Sequence, residues 1–444
     1  MDLAGRSVVV VGAGRTGQST ARFLAARGAA VRLLERQPER LERLPLPAEI
    51  ERILDDGTEA QLRGVELVVP SPGVPRTHRL LQCALAAGVP VISEIELAYR
   101  FLPCPLLAIT GTNGKSTTTT LLGAMLSAAG APVFVGGNLG TPLIDAVQED
   151  APPYEAAVAE ISSFQLEWVH SFRPRIAVML NLTPDHLDRY SSVEEYALAK
   201  AQLLMRQRPG DIAVLNRDDR WVWNQRRRTR ATTISFGREP VEFGGFVDGD
   251  DLVYWGPEPQ ARRFPLARVR LQGAHNRENM LAALTAASVW GVPASIVQRV
   301  LEQTAGLPHR LQLVRERAGV SYYDDSKGTN VGAVIKSLQS FSANVILLAG
   351  GYDKGSDFHA LRPLLEQRVK RAVLFGAARH SIAAQITGSV EFIETPALAE
   401  AVAAAAAAAC DGDTVLLSPG CASFDEFTDY AARGRRFCEL VEAL

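Results

Sequence analysis

The sequence predicts an α/β protein built of three consecutive α/β domains, and three observations carry that reading. Short apolar runs recur along the chain, each ending in a glycine-rich or polar loop and followed by helically spaced residues. Such β-α-β alternation builds parallel sheets. Two of these loops, "GAGRTG" at 12–17 and "TGTNGKST" at 110–117, are glycine-rich and stand between a strand and a helix pattern. Finally, 444 residues exceed what a single hydrophobic core usually organises. In sheets of this kind the chemistry gathers at the carboxyl ends of the strands.

The first domain, 1–93, is Rossmann-like. It opens with a buried strand in "RSVVVVG", the glycine turn, an amphipathic helix ending at Gly28 and a second strand in "AAVRLLER". "VELVVPSPGV" supplies another strand and "VPVISE" a last one before a helix. The central domain, 94–306, is P-loop ATPase-like. It has strands before "TGTNGKST", in "EAAVAEISS", in "RIAVMLNLTPDHLDRY" and in "DIAVLNRDD", and a helix over "SVEEYALAKAQLLMRQ". Residues 231–272 break into short alternating segments ("TTISFG", "GGFVDG", "LVYWG", "ARVRLQG"), which predicts a small antiparallel patch before a helix starting near Asn276. The turn "AGLPHRLQ" leads to the C-terminal domain, 307–444, again Rossmann-like. Its strands run into polar loops in "VSYYDDSKGTN", "VILLAGGYDKGSDF", "AVLFG" and "DTVLLSPGCASFDEF".

Apolar residues make up 47% of the chain and charged residues 22%, the balance of an ordinary globular protein. A net charge of −2 provides no basic field for nucleic acid or a membrane surface. Cys83, Cys104, Cys410, Cys421 and Cys438 form no C-x-x-C pair, which argues against a disulfide framework or a zinc site and for a reducing cytoplasm. The run Val8–Val11 is too short for a signal peptide, and "LAEAVAAAAAAAC" reads as a helix too weakly apolar to span a bilayer. A cytoplasmic monomer acting on small molecules is expected.

Gly12, Gly14 and Gly17 have the G-x-G-x-x-G spacing whose backbone amides suit a diphosphate, and Glu35, about 20 residues on, could hold a ribose hydroxyl. Taken alone this suggests a nicotinamide dehydrogenase, or glycines needed only for tight packing. The second loop departs from the P-loop spacing G-x-x-x-x-G-K-[ST]. Counting back from Gly114-Lys115-Ser116, the first glycine would fall on Ile109, whereas the chain has Gly111. Lys115 is still placed for β- and γ-phosphates and Ser116 for Mg²⁺. A dehydrogenase has no use for a triphosphate loop.

Glu160 ends a buried strand, where a lone carboxylate costs free energy unless it binds something, so it reads as a metal ligand or water-positioning group. Asp185, His186 and Asp188 follow the next strand, with His186 a second metal candidate. By residue type Lys200 is a surface partner for Glu194 and Glu195. Asn276 and Asn279 share one helix face and suit an adenine edge, or serve as a cap and a solvated amide. Lys327, Lys354, Thr329 and Ser423 lie in different loops and suit a small dianion, or are simply solvated.

Together these motifs resemble the Mur ligase superfamily, whose shortened P-loop "TGTNGKST" matches; "SSFQLE", "LNLTPDHLDRY", "GLPHR" and "DSKGTN" are similar to its D-glutamate-adding branch. The resemblance implies a peptidoglycan-precursor ligase that joins D-glutamate to UDP-N-acetylmuramoyl-L-alanine. ATP would be cleaved to ADP and phosphate, through an acyl phosphate and a tetrahedral intermediate. It also implies site residues. Arg15, Thr16, Glu35, Arg36, Ser71 and Gly73 would hold the uridine and diphosphate, and Asn138 and His186 the muramoyl part. Gly111, Thr112, Asn113, Gly114, Lys115, Ser116 and Thr117 would cradle ATP, completed by Asn276, Asn279, Arg310 and Asp325. Two Mg²⁺ would lie near Ser116 and Glu160 and near His186 and Lys200, the last N-carboxylated in the family. Lys327, Thr329, Lys354, Ser423, Phe424 and Tyr430 map onto the D-glutamate pocket, with closure expected around "GLPHR". The chain departs from the family at Glu35-Arg36-Gln37, where an Asp-centred turn is commoner, and at Tyr430, where Phe is expected.

Overall fold

The computed structural model describes residues 1–42, 44–257, 260–271, 273–304 and 306–444, and its strands form three sheets. The first contains β1 (Ser7–Val11), β2 (Ala30–Glu35), β3 (Glu51–Leu54) and β4 (Leu67–Pro70) in the order β3-β2-β1-β4, all parallel. Val8 to Val11 are buried on both faces, as a central parallel strand requires. "VPVISE" does not become a strand: Val91 makes one isolated bridge to Val68. Pro90 has no N–H to donate, and the Ser93 hydroxyl accepts the Glu96 N–H to cap the helix Glu94–Phe101.

The second sheet contains β5 (Leu106–Thr110), β6 (Val133–Gly137), β7 (Ala156–Glu160), β8 (Ile176–Met179), β9 (Ile212–Asn216), β10 (Thr232–Phe236), β11 (Gly244–Asp248), β12 (Asp251–Trp255) and β13 (Arg262–Pro265). Their order is β13-β12-β11-β10-β9-β8-β5-β7-β6. From β6 across to β11 every pairing is parallel. The antiparallel patch expected over 231–272 is therefore narrower, running only through β11, β12 and β13. Gly249, at φ +60°, turns the two-residue hairpin between Asp248 and Asp251. Of "ARVRLQG", Ala267–Leu271 is turn and irregular chain, and Gln272 lies outside the described residues, as does Ala305 of "AGLPHRLQ".

The third sheet contains β14 (Gln312–Arg317), β15 (Val320–Asp324), β16 (Val345–Gly350), β17 (Val369–Phe375), β18 (Phe392–Glu394) and β19 (Thr414–Gly420), ordered β14-β15-β19-β16-β17-β18. Only β14 is antiparallel to its neighbour. Alternation along β16 sends Val345, Leu347 and Ala349 into one core and Ile346 and Leu348 into another, so helices cover both faces.

By contact the chain separates into two compact units. One is Met1–Leu182, Glu194–Ala267 and Glu278–Leu301; the other is Thr183–Val193, Arg268–Arg277 and Glu302–Leu444. Among the described residues no helix is long and apolar enough to cross a membrane.

Candidate active site

In the first unit, β5 ends at Thr110 and the chain turns through Gly111 (φ +154°) and Gly114 (φ +83°) into the helix Lys115–Ala128. A β-carbon on Gly114 would stand 2.0 Å from Asn279 Oδ1, so glycine is needed both for the backbone and for the buried Asn279 beside it. The Lys115 ammonium folds back on the loop, donating to the carbonyls of Gly111 (2.9 Å) and Thr112 (2.8 Å). Ser116 and Thr117 are buried in the first helical turn. Asn181, just beyond β8, braces the loop: its Oδ1 accepts the Asn113 N–H and its Nδ2 donates to the Asn113 carbonyl.

Glu160, at the end of β7 and 3% exposed, forks between two partners. Its Oε2 accepts the Ser116 hydroxyl at 2.6 Å and its Oε1 accepts the Asn138 amide at 2.7 Å. Hard oxygen donors at Ser116 and Glu160 are the set Mg²⁺ takes beside a nucleotide, so these residues fit that ion.

Lys200 is not at the surface. It is 1% exposed, its ammonium donates to the Gly111 carbonyl at 2.9 Å and lies 4.7 Å from the centre of the Tyr196 ring. The reading as a surface partner of Glu194 and Glu195 is thereby corrected: the helix Val193–Met205 buries the face that carries Tyr196 and Lys200.

The N-terminal loop is as tight as its glycines suggest. A β-carbon on Gly17 would lie 1.9 Å from the Gly12 carbonyl oxygen, which accepts the Ser71 hydroxyl at 2.8 Å. Glu35 is buried and spends its carboxylate on backbone amides: Oε2 accepts Ala13 N–H, and Oε1 accepts those of Arg36 and Gln37. Arg36 and Gly73 are exposed and Thr16 is half-buried, while Arg15 donates to the Gly140 carbonyl, two residues after Asn138.

The second unit gathers the remaining residues. Asp185 accepts from Lys354 (3.1 Å) and from the Asn330 amide (3.0 Å), and His186 sits beside it at φ +58°. Burial pushes the Asp185 carboxyl up, but Lys354, His186 and hydrogen bonds outweigh it and hold the group below the usual carboxylate range. Asp185, His186 and Lys354 line a cavity of about 240 Å³ with Val331, Gly332 and Ile335. The Lys327 ammonium lies 3.6 Å from the centre of the Tyr430 ring. Ser423 is buried, Thr329 half-buried and Phe424 70% exposed.

Asp325 accepts the hydroxyls of Ser337 and Ser418; burial pushes it up to about 6 against those bonds and the nearby Arg310. Asn276 is buried in its own right.

Two supports were not singled out by motif reading. Asn181 could have been noticed as a polar residue ending a strand. Arg433 had no such signal: it is fully buried on the helix Tyr430–Ala443 and donates to the carbonyls of Ser326, Cys421 and Ala422 and to the Ser326 hydroxyl. It thereby ties the loop carrying Lys327 and Thr329 to the one carrying Ser423.

Two glycine-rich strand-to-helix turns and a third α/β sheet whose loops carry lysines define a modular α/β protein, and the family models that match it make it an ATP-dependent amide-bond ligase. The Mur ligase MurD-like N-terminal domain matches 6–93, the Mur ligase middle domain 109–287 and the Mur ligase glutamate ligase domain 309–421. The chain belongs to the Mur ligase family. It is 45% identical to a protein of Geobacter metallireducens and to one of Syntrophus aciditrophicus, across 100% of this chain and 99% of each relative. Both relatives carry the name UDP-N-acetylmuramoylalanine--D-glutamate ligase. Among solved structures, a pseudomurein peptide ligase type C from Methanothermus fervidus shares the fold with a TM-score of 0.63 at 17% identity, covering 99% of this chain and 100% of its own. The MurF ligase of Thermotoga maritima in complex with ADP gives 0.60 at 17%, covering 99% and 98%.

Proposed function

We propose that this protein joins D-glutamate to the alanyl carboxylate of UDP-N-acetylmuramoyl-L-alanine, cleaving ATP to ADP and phosphate, as a cytoplasmic monomer. What carries the reading is full-length identity of 41–45% to relatives of that name. The division of labour follows the domains 1–93, 94–306 and 307–444: uridine handle, ATP and amino acid in turn. An oxide ion is too poor a leaving group for an amine to displace from a carboxylate, so the carboxylate first takes the γ-phosphoryl group. The D-glutamate amine then attacks the acyl carbon, and phosphate leaves from the tetrahedral intermediate.

Lys115 leaves its loop carbonyls to meet the transferring phosphoryl group, whose charge it offsets. Asn279 and Asn276 orient the base, Asn138 and His186 hold the muramoyl part, and Arg15, Arg36 and Ser71 the uridine diphosphate. Lys327, Lys354 and Ser423 receive the carboxylates of D-glutamate. Ser116 and Glu160 would hold Mg²⁺, and His186 and Lys200 are the residues the family resemblance offers to a second ion; such ions would offset phosphate charge. Carboxylation of Lys200 suits its surroundings, because two ammonium groups otherwise crowd one carbonyl, that of Gly111.

The test is phosphate release by the pure protein with ATP, Mg²⁺, UDP-N-acetylmuramoyl-L-alanine and one amino acid. Release that requires D-glutamate, and is not supported by L-glutamate, L-lysine or diaminopimelate, is expected. No release, or equal release with L-glutamate, overturns the proposal.

A further inference from the structure

Local spacing of the cysteines shows no metal motif, yet the fold brings one of them to two other donors. We propose that His309, Asp324 and Cys438 form a binding site for a thiophilic divalent cation of the zinc type, built from donors different from those proposed for Mg²⁺. His309 precedes β14 and holds φ +63°, Asp324 ends β15, and Cys438 lies on the helix Tyr430–Ala443. Their ligand atoms all lie within 4.8 Å of one another.

The fully buried Asp324 carboxylate is already aimed. Its Oδ1 accepts the Ser326 N–H at 2.8 Å, which leaves Oδ2 facing His309 Nδ1 at 2.6 Å and Cys438 Sγ at 3.6 Å. Zinc takes nitrogen and oxygen at about 2.0–2.1 Å and sulfur at about 2.3 Å, so tetrahedral edges are roughly 3.3 Å for N–O and 3.6 Å for S–O. The sulfur–oxygen edge is therefore in place, and the nitrogen–oxygen edge needs to open by less than about 1 Å.

Cation entry replaces the two hydrogen bonds to Oδ2. The thiol releases its proton to solvent, and the imidazole moves its own from Nδ1 to Nε2, freeing the Nδ1 lone pair. The mixed nitrogen, oxygen and sulfur set selects zinc-like ions over Mg²⁺, which prefers oxygen alone. Three protein ligands leave a fourth position for water.

The test titrates the full-length protein with Co²⁺, then Zn²⁺, in excess Mg²⁺. One equivalent of Co²⁺ is expected to raise a near-ultraviolet thiolate-to-cobalt band that Zn²⁺ abolishes. Cys438→Ala should lose the band and weaken Zn²⁺ binding at least roughly tenfold, whereas Cys421→Ala should keep both. X-ray absorption of the zinc-loaded wild-type protein needs no variant and should show one sulfur among nitrogen and oxygen ligands. Absence of the band in the wild type, its persistence in Cys438→Ala, or a zinc shell without sulfur overturns the proposal.

Discussion

In the proposed reaction single side chains carry the phosphoryl chemistry. Lys115→Ala should lower turnover by at least roughly 100-fold, the scale of losing a preorganised charge partner. Binding of the UDP substrate, followed by calorimetry, should stay nearly intact, and equal loss of both would refute separate sites. Glu160→Gln should also lower kcat by at least roughly 100-fold and raise the Mg²⁺ requirement, because the neutral amide has one acceptor oxygen where the carboxylate serves both Ser116 and Asn138, and it brings no charge to a cation. At this scale much was legible beforehand. Gly114-Lys115-Ser116 announced itself by its residue types between a strand and a helix, despite the shortened spacing, and Glu160 by being a carboxylate at the end of an apolar strand. Lys200 was misread from residue types because adjacent glutamates offer an easy surface partner, and only packing reveals that its helix turns that face inward. Arg433 could not be read at all, since a cation in a helix of mixed polarity normally faces water.

Elements meet through a few buried polar groups, and pH exposes one of them. Glu94, at the start of the helix Glu94–Phe101, accepts the Ile144 N–H from the turn Leu143–Val147, and burial raises its carboxyl from 4.5 to about 7. A raised acid binds its proton more tightly in the folded chain. Its contribution is thus fully present below pH 4.5 and declines as pH climbs to about 7, by about 3 kcal/mol. Glu94→Gln should therefore gain on wild type between pH 5 and pH 8 in urea midpoints; a gap independent of pH would contradict this. Arg433→Lys should destabilise the third sheet by about 1–3 kcal/mol through orphaned carbonyls and raise the KM for the amino acid more than that for ATP. Gly114→Ala should cost about 1–3 kcal/mol from its left-handed backbone and also displace Asn279 from the nucleotide loop. Strands feeding glycine loops were the clearest elements in the sequence. "VPVISE" misled because its apolar alternation outweighed the proline and serine that end the strand and start a helix. β18 and β14 escaped notice: one has three residues, and the other, "QLVRER", is edge chain with more charge than apolar surface.

At the scale of the whole chain, repeated β-α alternation was enough to foresee three sheets, and the family models fall on the same three stretches. Strand order was not legible, because pairing β19 between β15 and β16 depends on contacts about 70 to 90 residues apart in sequence. The separate nucleotide and sugar-nucleotide sites proposed above predict separable stabilisation. ATP with Mg²⁺ at 100 times its Kd should add about 2.7 kcal/mol to the wild type and far less to Lys115→Ala, while the UDP substrate should stabilise both alike in thermal melts. The forked carboxylate of Glu160 has one more implication. Ser116 and Asn138 draw on this single acceptor, so under the proposed roles, ATP at Ser116 and the muramoyl part at Asn138, whichever reactant arrives first would redistribute the hydrogen bonds open to the second. The two binding events would then be coupled, and a compound seated against Asn138 alone would register in steady-state kinetics as a partial antagonist of the triphosphate too.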